Sequence, residues 1–101
     1  MFRKKRYLTA GIKREIPLDI QVVLWELIDK RIASGAIMDY LQIFDLKAKG
    51  SEDYPVQHLV HRQEQPCYKM EYAVEYKNPV TTKIYVIDSG EYCTMLLSEE
   101  Y

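Results

Sequence analysis

Residues 18–34, LDIQVVLWELIDKRIAS, decide the fold, because they form the one long amphipathic helix that the sequence predicts. Apolar side chains recur three and four positions apart in this stretch, a spacing that gathers them on one face of a helix. They are Ile20, Val23, Leu24, Leu27 and Ile28. Pro17 presets the helical first turn, Asp19 provides negative charge where the helix dipole favours it, and Gly35 marks the end.

The apolar arc of this helix is broader than packing against one sheet requires. With Ile32 and Trp25 included, it spans roughly 200°, at about 100° per residue. Trp25 lies at the shoulder of the arc. We expect Trp25 either to be covered by another part of the chain, such as the C-terminal strand and Tyr101, or to anchor a symmetric homodimer.

Six further segments have the residue pattern of β-strands: residues 6–12, 39–46, 56–63, 68–77, 82–88 and 92–98. In residues 68–77, apolar and polar side chains alternate most strictly. We expect the apolar face of this strand to be buried or half-buried: Tyr68, Met70, Tyr72, Val74 and Tyr76. A helix is the alternative there, because the tyrosines are also four positions apart. Residues 47–55 are predicted to form a loop. The sequence therefore predicts an α+β fold, with one main helix packed on an antiparallel sheet of five or six strands.

Length and composition indicate a single domain, residues 1–101. Of the 101 residues, 48% are hydrophobic and 29% are charged, which argues against disorder. No apolar run approaches the roughly 20 residues of a membrane helix, and we find no pattern of a secretory signal. Cys67 and Cys93 form no CxxC pair. We therefore expect a cytoplasmic protein with reduced cysteines, and a disulfide between the two cysteines is the alternative.

Positive charge is concentrated at the N-terminus. Residues 1–14 contain six basic side chains and no acidic one, whereas the net charge of the whole chain is −1 and its pI is about 6.1. A basic end can bind nucleic acid, with Tyr7 available to stack on a base, or it can be a solvated run that keeps a strand edge soluble. Nucleic-acid-binding domains usually have a pI above about 9, so the second interpretation is favoured.

Both histidines lie near a cysteine in one polar segment. On a strand, His58 and His61 point to opposite faces, and Pro66 interrupts the strand before Cys67. We therefore predict no bound metal ion and no cofactor. A small enzyme that uses His61, Glu64 and Cys67 is an alternative, although the sequence has no signature of an oxyanion hole.

Long polar side chains in the same segment can form an adaptable contact patch. The alternative is a solvated strand end whose glutamines satisfy the backbone of a neighbouring loop. The candidate interaction surface predicted from the sequence is Trp25, His61, Arg62, Gln63, Glu64 and Gln65.

Five blocks of the sequence resemble the DUF 960 family, short uncharacterised proteins of Gram-positive bacteria and their phages. The blocks are RYLTAGI at 6–12, LWELID at 24–29, DYLQIF at 39–44, HRQEQPCY at 61–68 and TMLLSEEY at 94–101. The resemblance covers most of the chain and implies a bacterial or prophage protein of the cytosol. It implies no activity, and it gives no residue a catalytic role.

The favoured hypothesis is a small non-enzymatic protein-interaction module of the cytoplasm, associated with a phage or prophage. Its partner would be an unidentified protein or a second copy of the chain, and neither nucleic acid nor a membrane is expected. The alternatives are a weak nucleic-acid binder that uses the basic N-terminus, and the small enzyme described above.

We predict that the protein does not bind duplex DNA at physiological salt, because the chain beyond residue 14 is net acidic and repels phosphate. Fluorescence anisotropy of a labelled duplex, titrated at several salt concentrations, checks this. Six phosphate contacts would give a slope of about −5 for log K against log salt. Sub-micromolar affinity with such a slope would contradict the prediction.

Overall fold

Six strands and two α-helices make up the computed structural model, which describes residues 2–101. In chain order the elements are β1 (Lys5–Leu8), α1 (Ala10–Glu15), α2 (Leu18–Ala33), β2 (Leu41–Gly50), β3 (Pro55–Gln63), β4 (Tyr68–Glu75), β5 (Thr82–Asp88), β6 (Tyr92–Leu97) and a 3₁₀ turn at Ser98–Glu100. The predicted main helix is confirmed as α2. None of the helices in the described part of the chain is long and apolar enough to cross a membrane.

The six strands form one sheet in the order β1-β6-β5-β2-β3-β4. Four of the five strand pairs are antiparallel, and β1 runs parallel to β6. One main helix on a six-stranded sheet agrees with the predicted architecture, but the expectation of a wholly antiparallel sheet is wrong. The last strand, β6, returns to lie beside the first strand, β1. The two can be parallel because the whole chain between them serves as the crossover connection.

The predicted strand 6–12 is wrong beyond Leu8, because the chain turns there into α1. The Thr9 side chain accepts a hydrogen bond from the backbone N–H of Ile12 (3.3 Å) and so caps the helix. The carboxylate of Glu100 accepts a further bond from the backbone N–H of Gly11 (3.2 Å). A Cβ at position 11 would come within 2.7 Å of that carboxylate, so glycine allows the close approach.

The predicted loop 47–55 is shorter in the structure, since β2 continues to Gly50 and β3 begins at Pro55. Gly50 has φ +81°, and a Cβ there would lie 2.2 Å from the carbonyl oxygen of Tyr54. A glycine is therefore required for the tight turn between the two strands.

The core lies between the helices and one face of the sheet. From α2 it takes Ile20, Leu24 and Ile28, and from the central strands it takes Phe44, Leu46, Ile84, Val86, Met95 and Leu97. Cys93 is buried in this core and Cys67 is exposed, and both are free thiols, so the disulfide alternative is wrong.

The strand predicted at 68–77 is confirmed as β4, but its apolar face is less buried than expected. Tyr68 and Tyr72 are half-buried, whereas Met70 and Val74 are 45% and 60% exposed. The reason is the position of β4 at the end of the sheet, since an outermost strand has a neighbour on one side only.

Candidate functional site

The six residues predicted as an interaction surface do not share one surface. His61 and Gln63 are 0% and 3% exposed, so their assignment to an exposed patch is wrong. They point inward because they lie two and four positions after the core residue Leu59 on β3 and therefore share its face. Arg62 points to the opposite face and pairs with Asp45. The remaining members lie apart from these: Glu64 and Gln65 are exposed in the β3–β4 turn, and Trp25 is half-buried on α2.

Gln63 is the centre of a buried hydrogen-bond network. Its Oε1 accepts from the side-chain Nε2 of Gln42 (2.8 Å) and from the backbone N–H of Asp39 (3.2 Å). Its Nε2 donates to the carbonyl oxygens of Ile37 (3.0 Å) and Pro66 (2.8 Å). One amide therefore joins the segment before β2 to the turn between β3 and β4. This is the structural role that the sequence left open as the alternative.

His61 belongs to the same network. Its Nε2 lies 2.7 Å from Oε1 of Gln42, and because that oxygen can only accept, we assign the proton to Nε2. Its Nδ1 has no partner among the described residues, and its ring stacks on Phe44 at 4.4 Å. Burial, reinforced by the positive charge of Arg31, lowers the pKa of His61 to about 4. The imidazole is therefore neutral at physiological pH.

The residues of the enzyme alternative are not brought together. His61 is fully buried, whereas Glu64 and Cys67 are exposed, and no hydrogen bond within residues 2–101 joins His61 to either. His58 lies on the opposite face of β3 from His61 and has the carboxylate of Glu71 3.6 Å away. Within residues 2–101, no group of three or more histidine, cysteine or acidic side chains is positioned to hold a metal ion.

Two other buried glutamines act in the same way as Gln63. Gln57 accepts from the backbone N–H of Val80 (2.7 Å) and donates to its carbonyl oxygen (3.0 Å), which holds the connection between β4 and β5 against the sheet. Gln21 donates to the carbonyl oxygen of Ile16 (2.8 Å) and so joins α2 to the end of α1. These buried glutamines connect loops to the core.

An apolar groove of about 420 Å³ lies between α2 and the outer part of the sheet. Its walls and floor include Val23 and Leu27 from α2, Leu46 and Leu59 from β2 and β3, and Tyr72 and Val74 from β4. Asp19, in the first turn of α2, is the one charged side chain among its lining residues. Sequence reasoning missed this groove as a site, although the apolar arc on α2 indicated that an apolar surface was left over.

The two shoulders of α2 differ. One shoulder of α2 carries Trp25, which is covered by Arg6. The guanidinium of Arg6 lies 4.5 Å from the centre of the Trp25 ring and forms an ion pair with Asp29. The opposite shoulder carries Val23, which is 42% exposed and faces the groove. The predicted cover of α2 by Tyr101 is wrong, because the ring of Tyr101 packs on Tyr85 of β5. Tyr85 lies on the face of β5 opposite to its buried neighbours, Ile84 and Val86, which point into the core.

The basic N-terminus is partly used within the fold. Arg6 pairs with Asp29, and Arg14 lies 3.1 Å from the carboxylate of Glu15. Tyr7, considered above for stacking on a base, contacts Tyr92 edge to face at 5.6 Å and is half exposed.

Comparisons with known proteins agree with the fold and add no activity. The sequence profile of a family described as "Staphylococcal protein of unknown function (DUF960)" matches residues 5–100. A crystal structure of a protein of unknown function from Enterococcus faecalis is similar to this chain, with 25% sequence identity and a TM-score of 0.67. The match covers 97% of this chain and 91% of the other. No curated protein sequence matches.

We predict that Gln63→Leu lowers the free energy of unfolding by about 2–4 kcal/mol, because it removes the four hydrogen bonds that this buried amide makes to Gln42 and to the backbone of two loops. Chemical denaturation measures the change. Gln65→Leu is the matched control: Gln65 is exposed two positions away, and we expect its substitution to change stability by less than about 0.5 kcal/mol. Equal losses in the two variants would contradict a special role for Gln63.

We predict that stability falls as the pH is lowered from about 6.5 towards 4. The folded pKa of His61 is about 4 and lies below its unfolded value, so the unfolded chain binds more protons in this window. The loss reaches on the order of 3 kcal/mol. In a His58→Gln variant His61 is the single histidine, and an NMR titration then gives its pKa directly. A midpoint near 6.5 in the folded protein would overturn the prediction.

Proposed function

This chain belongs to the DUF960 family, and from its groove we propose that it is a non-enzymatic protein-interaction module. The groove between α2 and β4 binds a short apolar peptide segment of another protein. Because Asp19 is the charged side chain at the groove, the bound segment carries a basic residue beside its apolar ones.

The open apolar groove is the observation that carries this proposal. Soluble monomers rarely leave concave apolar surface uncovered, and such surfaces are enriched at binding sites. Val23 and Val74 stand on opposite walls, and each is more than two-fifths exposed. An apolar side chain inserted between them would remove both walls from water, and this burial favours binding.

The lining of the groove supports binding rather than catalysis. Its polar members are few, and the amide of Gln57 is already bonded to the backbone of Val80. Acid–base or nucleophilic chemistry needs a base and a nucleophile within hydrogen-bonding reach of a bound substrate. His61, Glu64 and Cys67, the candidates for such roles, are not among the groove residues.

The cytoplasmic and phage-associated setting stays a prediction. Nucleic-acid binding through the basic N-terminus remains the second hypothesis from the sequence. The fold engages two of the six basic side chains, because Arg6 contacts Asp29 and Trp25, and Arg14 contacts Glu15.

Val22 and Val23 provide a matched pair of positions for the test. They are neighbours on α2 with similar exposure, 46% and 42%, but only Val23 lines the groove. A charged side chain at position 23 would have to be buried beneath a bound peptide, whereas one at position 22 would stay in water. Val23→Glu should therefore weaken binding, and Val22→Glu should not.

We predict that short random peptides selected by display on the immobilised protein contain apolar residues next to a basic one. Val23→Glu should weaken their binding at least about tenfold, and Val22→Glu should leave it unchanged, as measured by calorimetry. Denaturation of both variants checks that they remain folded. Equal affinity of the two variants, or failure to select any peptide, would contradict the groove as the binding site.

A further inference from the structure

The free edge of β4 presents a regular row of main-chain groups. The backbone N–H of Tyr76 donates to the carbonyl oxygen of Pro55 (3.2 Å), in line with the antiparallel register between β4 and β3. Successive residues of a strand direct their N–H and C=O groups to alternate sides. The even-numbered residues of β4 therefore bond to β3, and the odd-numbered ones, from Lys69 to Glu75, point away from the sheet.

This edge carries charged side chains but lacks several other protections against pairing with another chain. Natural sheets shorten their edge strands, interrupt them with proline or a bulge, or turn charges inward. The opposite edge, β1, is only four residues long. In contrast, β4 has eight residues without proline, in unbroken register with β3. Its charged side chains lie on the face away from the helices, and its helix-side face carries the exposed Met70 and Val74.

We propose that the occupant of this edge is a second copy of the chain, paired antiparallel to β4 about a two-fold axis at Tyr72. The pairing rests on the strand edge and does not require a ligand in the groove. Odd-numbered residues must pair with odd-numbered ones, because only these have free main-chain groups. The allowed registers therefore differ by a shift of one strand along the other by two residues.

Charge distinguishes the register centred on Tyr72 from the two adjacent registers. With the axis at Tyr72, Lys69 lies opposite Glu75 of the second copy at both ends, and Glu71 lies opposite Ala73. Moving the axis to position 71 places Glu71 opposite its own counterpart. Moving it to position 73 places Glu71 opposite Glu75 and Lys69 opposite Lys77. Opposite charges across a strand pair are favourable and like charges are unfavourable.

The same register also covers apolar side chains on the helix-side face of β4. Met70 lies opposite Val74 of the second copy, and Tyr72 opposite its own counterpart, so the exposed side chains of β4 gain cross-strand neighbours. Because residues of equal parity pair, both α2 helices lie on the same side of the joined sheet. The two grooves therefore open towards each other across the paired strands.

Multi-angle light scattering of the full chain over a concentration series tests the pairing. We predict a concentration-dependent rise from 12.0 kDa to twice that mass. A mass of 12.0 kDa at every concentration up to the millimolar range would overturn the proposal. Val23→Glu, in the groove, should leave the dimer mass unchanged, so a failure of peptide binding and a failure of pairing are separate results.

Charge reversal tests the register. Lys69→Glu and Glu75→Lys each place like charges opposite one another at both ends and should weaken dimerisation about tenfold. The double variant Lys69→Glu/Glu75→Lys restores opposite charges and should regain the parent affinity. Neither residue is buried in the monomer, so all three variants should fold. Unchanged affinity in the single variants, or no recovery in the double variant, would overturn the register.

Discussion

The side-chain amide of Gln63 fixes the position of the outer half of the sheet. It bonds at once to the backbone on both sides: to Ile37 and Asp39 before β2, and to Pro66 before β4. The turn at Pro66 determines where β4 starts, and β4 provides one wall of the groove. A buried amide is stable only when its groups are paired, so this network tolerates few alternative arrangements of the loops.

The asymmetry of α2 connects that framework to the proposed binding groove. A stacked and ion-paired arginine, Arg6, closes one shoulder over Trp25. On the other shoulder, the guanidinium of Arg31 stacks on Tyr68 at 3.5 Å and closes one end of the gap to β4. Beyond that stack the apolar walls stay open, with Val23 exposed. Packed side chains thus border an apolar groove, and a groove that is already formed lowers the entropic cost of the proposed binding.

The parts of the fold that follow a local periodicity could be predicted from the sequence, and the parts set by distant contacts could not. Helix α2 and strand β4 have long regular patterns, and the structure confirms both. Helix α1 has six residues, and one of its N-terminal bonds comes from Glu100, far along the chain. The burial of His61 and Gln63 could have been deduced from their parity with Leu59, but polar side chains at inward positions resemble a surface. The sequence shows that α2 has more apolar surface than one sheet can cover. Which side of α2 stays open depends on Arg6, which covers Trp25 on the other side.

The charge pattern on β4 distinguishes an edge that only avoids pairing from an edge that favours one partner. An edge that is only protected from aggregation is best served by charges of one sign, because these repel a second copy in every register. Strand β4 carries both signs, with Lys69 near one end and Glu75 at the other. Such a strand repels its own copy in neighbouring registers and attracts it in the register centred on Tyr72. Mixed charge on an unshortened edge therefore favours pairing in this register over its neighbours, which charges of one sign would not do.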